Sequence, residues 1–154
     1  MNTNIGGLVA TLAILGVAYT VLKEWAKEKP PSKSFYSKVS TLDNKVTAQR
    51  ILLVENDKKL ADICSSNLEQ YGFEVRTVYN AEDGLNATLE FRPNLIITCI
   101  QMPKVSGLDF VDIIRKTHET KQIPIIVWTA SHNKEAKKKI LDLGANAYLN
   151  KDDV

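Results

Sequence analysis

The sequence predicts an α/β fold with a parallel sheet over residues 50–154, preceded by a membrane helix and a linker. Two observations carry this. From residue 50 onward, short apolar runs alternate with helical patterns across short connections. At the N-terminus, residues 5–22 hold eighteen positions without one charged side chain.

The first element is that apolar stretch, IGGLVATLAILGVAYTVL. It is apolar on every face, so it is not an amphipathic surface helix. As a helix it is about 27 Å long, close to the thickness of a bilayer's hydrocarbon core. Gly6, Gly7 and Gly16 are costly in a soluble helix and common in membrane ones. A cleaved signal peptide is the rival reading. It calls for a basic leading region and a small-x-small cleavage site, and neither stands out. A buried core helix is the third reading. The anchor expectation sets residues 1–22 apart as one unit.

Residues 23–49 read as a linker. Trp25 follows the apolar run as an interfacial aromatic would, and Pro30-Pro31 stops any helix. Residues 35–48 carry only a weak helical pattern. Residues 23–50 hold seven Lys or Arg against three acidic residues, a local charge of +4. A basic flank favours the cytoplasmic side, so the expectation is a single-pass protein of the cell membrane with its folded domain in the cytoplasm.

The folded part spans residues 50–154. Its strands are expected at 51–54 (ILLV), 74–78 (EVRTV), 95–98 (LIIT), 124–128 (PIIVW) and 147–149 (AYL). Helical patterns fill 57–71, 81–91, 107–118 and 132–143. On the first helix Leu60, Ile63, Cys64, Leu68 and Tyr71 are expected to share the buried face. Gly72 and Gly144 read as helix stops.

Charge and cysteine use narrow the function. The chain of 154 residues is 44% hydrophobic and 25% charged, with a net charge of +2. Residues 51–154 hold thirteen basic against fifteen acidic residues, or −2. No part carries the strong basic excess typical of nucleic-acid binding. Cys64 and Cys99 have neither metal-ligand spacing nor a disulfide pattern.

In open parallel sheets, functional groups gather at the carboxyl ends of the strands. There stand Glu55, Asn56 and Asp57 after the first strand, Cys99 after the third, Thr129 and Ala130 after the fourth, and Lys151 after the fifth. Taken singly, each has a plain structural reading. Asn56 or Asp57 could cap a helix, Thr129 could bond backbone, and Lys151 could sit in solvent.

Together they form a pattern. ILLVEND, NLIITCIQMPKVSG, IPIIVWTAS and GANAYLNK resemble the receiver domain of two-component response regulators, over roughly residues 50–151. The resemblance implies a flavodoxin-like, receiver-type sheet of five parallel strands in the order 2-1-3-4-5. It also implies a phosphoryl group accepted from a histidine kinase by an aspartate after the third strand. Glu55 and Asn56 stand where the family keeps an acidic pair for Mg²⁺. Cys99 stands at the phosphoacceptor. Thr129 matches the hydroxyl residue that senses the phosphoryl group, Lys151 the lysine that contacts it, and Tyr148 the aromatic residue that reports activation. Met102, Pro103 and Gly107 match the turn after the acceptor.

Three departures change what the resemblance implies. The acceptor is a thiol, one metal carboxylate is an amide, and Asp152 replaces the proline after the lysine. The family pocket sets three carboxylates against one lysine, a balance of −2, whereas Glu55 alone faces Lys151 here. Mg²⁺ prefers oxygen ligands, so its binding is expected to be lost or weak, with Glu55 as the residual ligand candidate. Cys99 is expected to act as a small buried apolar residue. Two rivals remain: Asp57 as an alternative phosphoacceptor, and Cys99 as a thiol sensor whose pKa Lys151 lowers.

The family's fifth helix is not seen before the chain stops at KDDV. Apolar side chains on one sheet face would then meet water, residues 35–48, a second copy or another partner. The resulting expectation is a non-enzymatic, membrane-tethered signalling module. It would act through protein partners, a histidine kinase or another signalling protein among them, and a homodimer through the open face is one form this could take.

Overall fold

The structure is a computed structural model, and it describes residues 50–70 and 72–151. The expected anchor (1–22) and linker (23–49) lie outside the described residues. So do Tyr71 and the segment after Lys151 on which the expected loss of a fifth helix turns. Among the described residues, no helix is long and apolar enough to cross a membrane.

Strands and helices alternate strictly. They are β1 (Arg50–Val54), α1 (Lys58–Gln70), β2 (Glu74–Val78), α2 (Ala81–Phe91), β3 (Leu95–Thr98), α3 (Gly107–Lys116), β4 (Ile125–Thr129), α4 (Lys134–Asp142) and β5 (Ala147–Asn150). All pairings are parallel, and the sheet order is β2-β1-β3-β4-β5, as the resemblance implied. The central strands β1, β3 and β4 are buried on both faces. That is why they read as unbroken apolar runs rather than as alternating ones.

Successive strand residues point to opposite faces. Leu52, Val54, Ile96, Ile125 and Val127 face one way and form a core with Phe91 of α2, Phe110 and Ile114 of α3, and Ile140 of α4. Ile51, Leu53, Leu95, Ile97, Ile126 and Trp128 face the other way and are also buried, rather than turned to water. On this side α1 packs against β1 and β2 through Ala61, Cys64 and Leu68.

The expected α1 face needs a correction. Cys64 and Leu68 are buried, but Ile63 is 61% exposed and Leu60 only partly buried, while Ala61 is fully buried. At about 100° per residue, the stripe through Ala61, Cys64 and Leu68 leaves Ile63 about 130° from its centre. Smaller shifts occur at the ends. β4 begins after Pro124 and takes in Thr129. Asn133 caps α4 by accepting from the Glu135 and Ala136 N–H groups, which moves the helix start to Lys134. Thr117 is extended, so α3 ends at Lys116.

Away from the strand ends that carry the site, Arg115 holds the loops leading into β4 and β5. Its guanidinium donates to the carbonyls of Gly144 (2.9 Å), Ile123 (2.8 Å) and Lys121 (3.2 Å), and to Asn146 Oδ1 (2.9 Å). Carbonyls that β4, β5 and α4 leave unpaired are thereby satisfied.

Candidate functional site

The carboxyl ends of β1, β3, β4 and β5 bring the six predicted side chains into two hydrogen-bonded groups. Glu55 follows β1, and its N–H donates to the Val78 carbonyl at 3.0 Å, which continues the strand ladder. The side chain is therefore turned into the sheet top and is 1% exposed. A buried carboxylate needs partners for both oxygens. Oε1 accepts from the Asp57 N–H at 3.0 Å, and Oε2 accepts from Lys151 Nζ at 2.6 Å. Lys151, the first residue after β5, reaches across the sheet top and keeps its ammonium 5.2 Å from the centre of the Trp128 ring. An ammonium over an indole face is a favourable cation–π arrangement. Trp128 Nε1 is itself buried, with no hydrogen-bond partner among the described residues.

Asn56 bridges Glu55 to Cys99. With its amide nitrogen toward Glu55, the side chain donates to Glu55 Oε1 at 3.2 Å and to the Gln101 carbonyl at 3.1 Å. That orientation is assigned from the hydrogen-bond network. The Cys99 sulfur lies 3.4 Å from the same amide atom and 3.7 Å from the Gln101 carbonyl oxygen, to which the thiol donates. Cys99 is 3% exposed, and its own N–H donates to the Val54 carbonyl at 3.1 Å.

Burial first, and then the Glu55 carboxylate, push the Cys99 thiol above its ordinary pKa, against smaller pulls from the Asn56 backbone N–H, Lys151 and the Cys99 backbone. The thiol-sensor expectation, in which Lys151 lowers the Cys99 pKa, runs against this direction, and Lys151 is already paired with Glu55. Cys64, on the buried face of α1, is pushed up to about 11 by the same two causes. Both thiols are neutral near pH 7.

Asp57 does not join the cluster through its carboxylate. Its Oδ1 accepts from the Leu60 N–H at 3.2 Å, and its carbonyl accepts from the Ala61 N–H at 2.8 Å, so it is the N-cap of α1. This is one of the two roles the sequence left open for it.

Thr129 and Tyr148 meet at Ser131. The Thr129 hydroxyl, 2% exposed, accepts from the Ser131 N–H at 3.3 Å. The Tyr148 hydroxyl donates to the Ser131 carbonyl, which also accepts from Asn150 Nδ2 at 3.2 Å. Partial burial raises the Tyr148 pKa, opposed by the bond to Ser131. The Lys137 ammonium stands 5.5 Å from the centre of the Tyr148 ring. Sequence reasoning missed Ser131, Gln101 and Trp128. The first two act through backbone atoms, which side-chain identity does not reveal.

The donors among the described residues differ from the set that Mg²⁺ prefers. The ion wants about six oxygens in octahedral order, with carboxylates among them. Among the described residues Glu55 is the one carboxylate aimed into this cluster, and Lys151 and the Asp57 N–H already hold its oxygens. Beside it stand an amide and a protonated thiol. Among the described residues, no group of three or more His, Cys, Asp or Glu side chains is arranged to hold a metal ion.

Comparison with known proteins agrees with the topology. The response regulator receiver domain family matches residues 51–153. The hybrid signal transduction histidine kinase D of Dictyostelium discoideum is 30% identical over 139 residues, which are 90% of this chain and 9% of that protein. The DNA-binding dual master transcriptional regulator RpaA of a Synechocystis strain is 31% identical over 102 residues, 66% of this chain and 42% of that protein. This chain therefore spans less than half the length of these curated relatives. Among solved structures, the chemotaxis response regulator CheY4 of Vibrio cholerae superposes with a TM-score of 0.64 at 28% identity, covering 68% of this chain and 88% of that one. The Mn(2+)-bound form of the response regulator Rcp1 gives 0.62 at 27% identity, covering 67% and 81%. With its sheet order, its strand-end residues and a family match across more than half its length, the chain belongs to the response regulator receiver domain family.

Proposed function

We propose that this chain is a membrane-tethered receiver domain that works in two-component signalling through protein contact, without aspartyl phosphorylation. The observation that carries the reading is the state of the pocket. Cys99, which stands where the resemblance puts the acceptor, is buried with its thiol pushed above the ordinary range, and Lys151 is paired with Glu55. In phosphoryl transfer the protein chiefly positions groups and neutralises charge, with metal ions bridging the phosphate oxygens. A thiol hydrogen-bonded to the Gln101 carbonyl, beside a carboxylate already paired, supplies neither the nucleophile nor the metal ligands. Mg²⁺ binding is accordingly weak or lost on this reading.

The tether rests on residues 5–22, uncharged throughout, followed by Trp25 and a basic flank. The output is then location and binding. Its partners are other signalling proteins, with a histidine kinase the first to test, since a related receiver sequence lies within a hybrid histidine kinase. The rival that uses Asp57 as acceptor has to contend with that carboxylate capping α1. Incubation with acetyl phosphate and Mg²⁺, read by intact mass, tests the proposal. The expected result is no phosphoryl adduct. A stable adduct that disappears in Asp57→Ala would replace this reading with a relay through Asp57.

A further inference from the structure

We propose that Lys151 is a built-in counter-ion that latches the end of β5 to the β1–α1 loop, so that the domain is held in one conformational state. This rests on the reading of the pocket as one without phosphoryl chemistry, and it adds what fixes the pocket instead.

The latch is continuous. On one side, Glu55 collects the Asp57 N–H and, through Oε2, the Lys151 ammonium. Asn56 ties the same carboxylate to the β3–α3 loop through the Gln101 carbonyl. On the other side, Lys151 directly follows Asn150, and Asn150 and Tyr148 both donate to the Ser131 carbonyl. The Ser131 N–H in turn occupies the Thr129 hydroxyl. The two residues that the family resemblance assigns to sensing are thus both engaged in one loop, and that loop is bonded to the strand that Lys151 anchors.

Electrostatics favours the clamp. Glu55 is almost wholly buried, and Lys151 keeps 18% of its side chain exposed while standing over Trp128. A carboxylate so buried strongly disfavours losing its cation. No other Lys, Arg or His ion pair with Glu55 exists among the described residues. Among the described residues Lys151 is paired with Glu55 alone, and giving up that pair would strand a buried charge.

Amide hydrogen exchange on the full chain tests this at Asp57 and Ser131. In Lys151→Met, both amides should exchange about tenfold to a hundredfold faster, less than loss of a fully buried pair implies because Lys151 is partly exposed. Glu55→Gln/Lys151→Met removes the stranded charge without restoring the clamp. Its melting temperature should return toward the parent value while Ser131 stays fast. Lys138→Met, which removes an exposed lysine paired with Asp142, should change neither amide. Unchanged Ser131 exchange in folded Lys151→Met overturns the latch. Recovery of slow exchange at Ser131 in the double variant overturns it too, since it would reduce Lys151 to a charge partner. Phosphorylation of the parent would sink the underlying functional reading by a separate measurement, and exchange at Ser131 would still judge the latch.

Discussion

The start of α3 is pressed against the end of β3 at Gly107 and Cys99. A β-carbon on Gly107 would collide with the Cys99 carbonyl oxygen and stand 2.7 Å from Ile100 Cα. The Gly107 N–H donates to the Ile100 carbonyl at 2.8 Å, which holds the two segments at that distance. The helix starts in a capping box between Ser106 and Asp109, so its position is fixed from both sides.

Gly107→Ala should therefore destabilise the domain by about 1–3 kcal/mol or more, as overpacking does. Helix propensity alone points the other way, by about 1 kcal/mol in favour of Ala. The sign of the change in a urea midpoint decides between them. A neutral or stabilising Gly107→Ala would show that the contact yields without strain.

The two thiols give a pH dependence. Both pKa values are raised on folding, so between the unfolded and folded values the unfolded chain has lost protons that the folded chain keeps. Stability from this source is complete below the unfolded thiol pKa. It falls as pH rises from about 9.0, and for Cys64 the fall continues to about 11. The slope is at most about 1.4 kcal/mol per pH unit for each thiol. Cys64→Ala/Cys99→Ala should show a shallower decline over the same window in parallel urea titrations. Fast alkylation of Cys99 in the folded protein at pH 7.5 would instead restore the thiol-sensor reading.

Much of this was legible because the sheet is buried on both faces. ILLV, LIIT and PIIVW carry no polar side chain until Thr98, and a fully buried parallel strand requires that composition. The α1 face was harder. Ile63 is apolar yet exposed, and Ala61 is too small to stand out in a hydrophobic pattern, so periodicity weighted the wrong neighbour of Cys64. At the site, residue types were readable and connections were not. Lys151 and Glu55 are 96 positions apart, and only the fold shows that the ammonium turns to Glu55. Ser131 joins Thr129 to Tyr148 through its backbone, and Arg115 binds three backbone carbonyls. Neither leaves a motif.

Residues 5–22 followed by a basic flank predict that the full chain stays with membranes through high-salt and carbonate washes. Residues 50–154 expressed alone should appear in the soluble fraction. Recovery of the full chain in the wash would remove the tether from the proposed function and leave the pocket chemistry as it stands.

The last prediction concerns what it takes to restore a metal site. Cys99→Asp places a second carboxylate beside Glu55, and with Lys151 the formal balance becomes −1. Asn56→Asp alone gives the same balance, and the two together give −2 and three carboxylates. Like charges packed together in a buried site destabilise a fold unless a cation joins them. The double variant should therefore melt below the parent without Mg²⁺ and regain stability when Mg²⁺ is added. The gain should follow mass action for a ligand bound only by the folded state, reaching about 2.7 kcal/mol at a hundredfold excess over Kd. Each single variant should gain less, because Lys151 still competes for Glu55 at 2.6 Å and one ligand is missing. The parent should gain nothing. Cys99→Ala separates packing from charge, since it should cost only about 1 kcal/mol and show no Mg²⁺ response. Thermal melts of these proteins with and without Mg²⁺ give the comparison. A parent that Mg²⁺ stabilises as much as the double variant would show that the cation displaces Lys151 from Glu55, and the claim of a lost phosphoryl chemistry would have to be withdrawn.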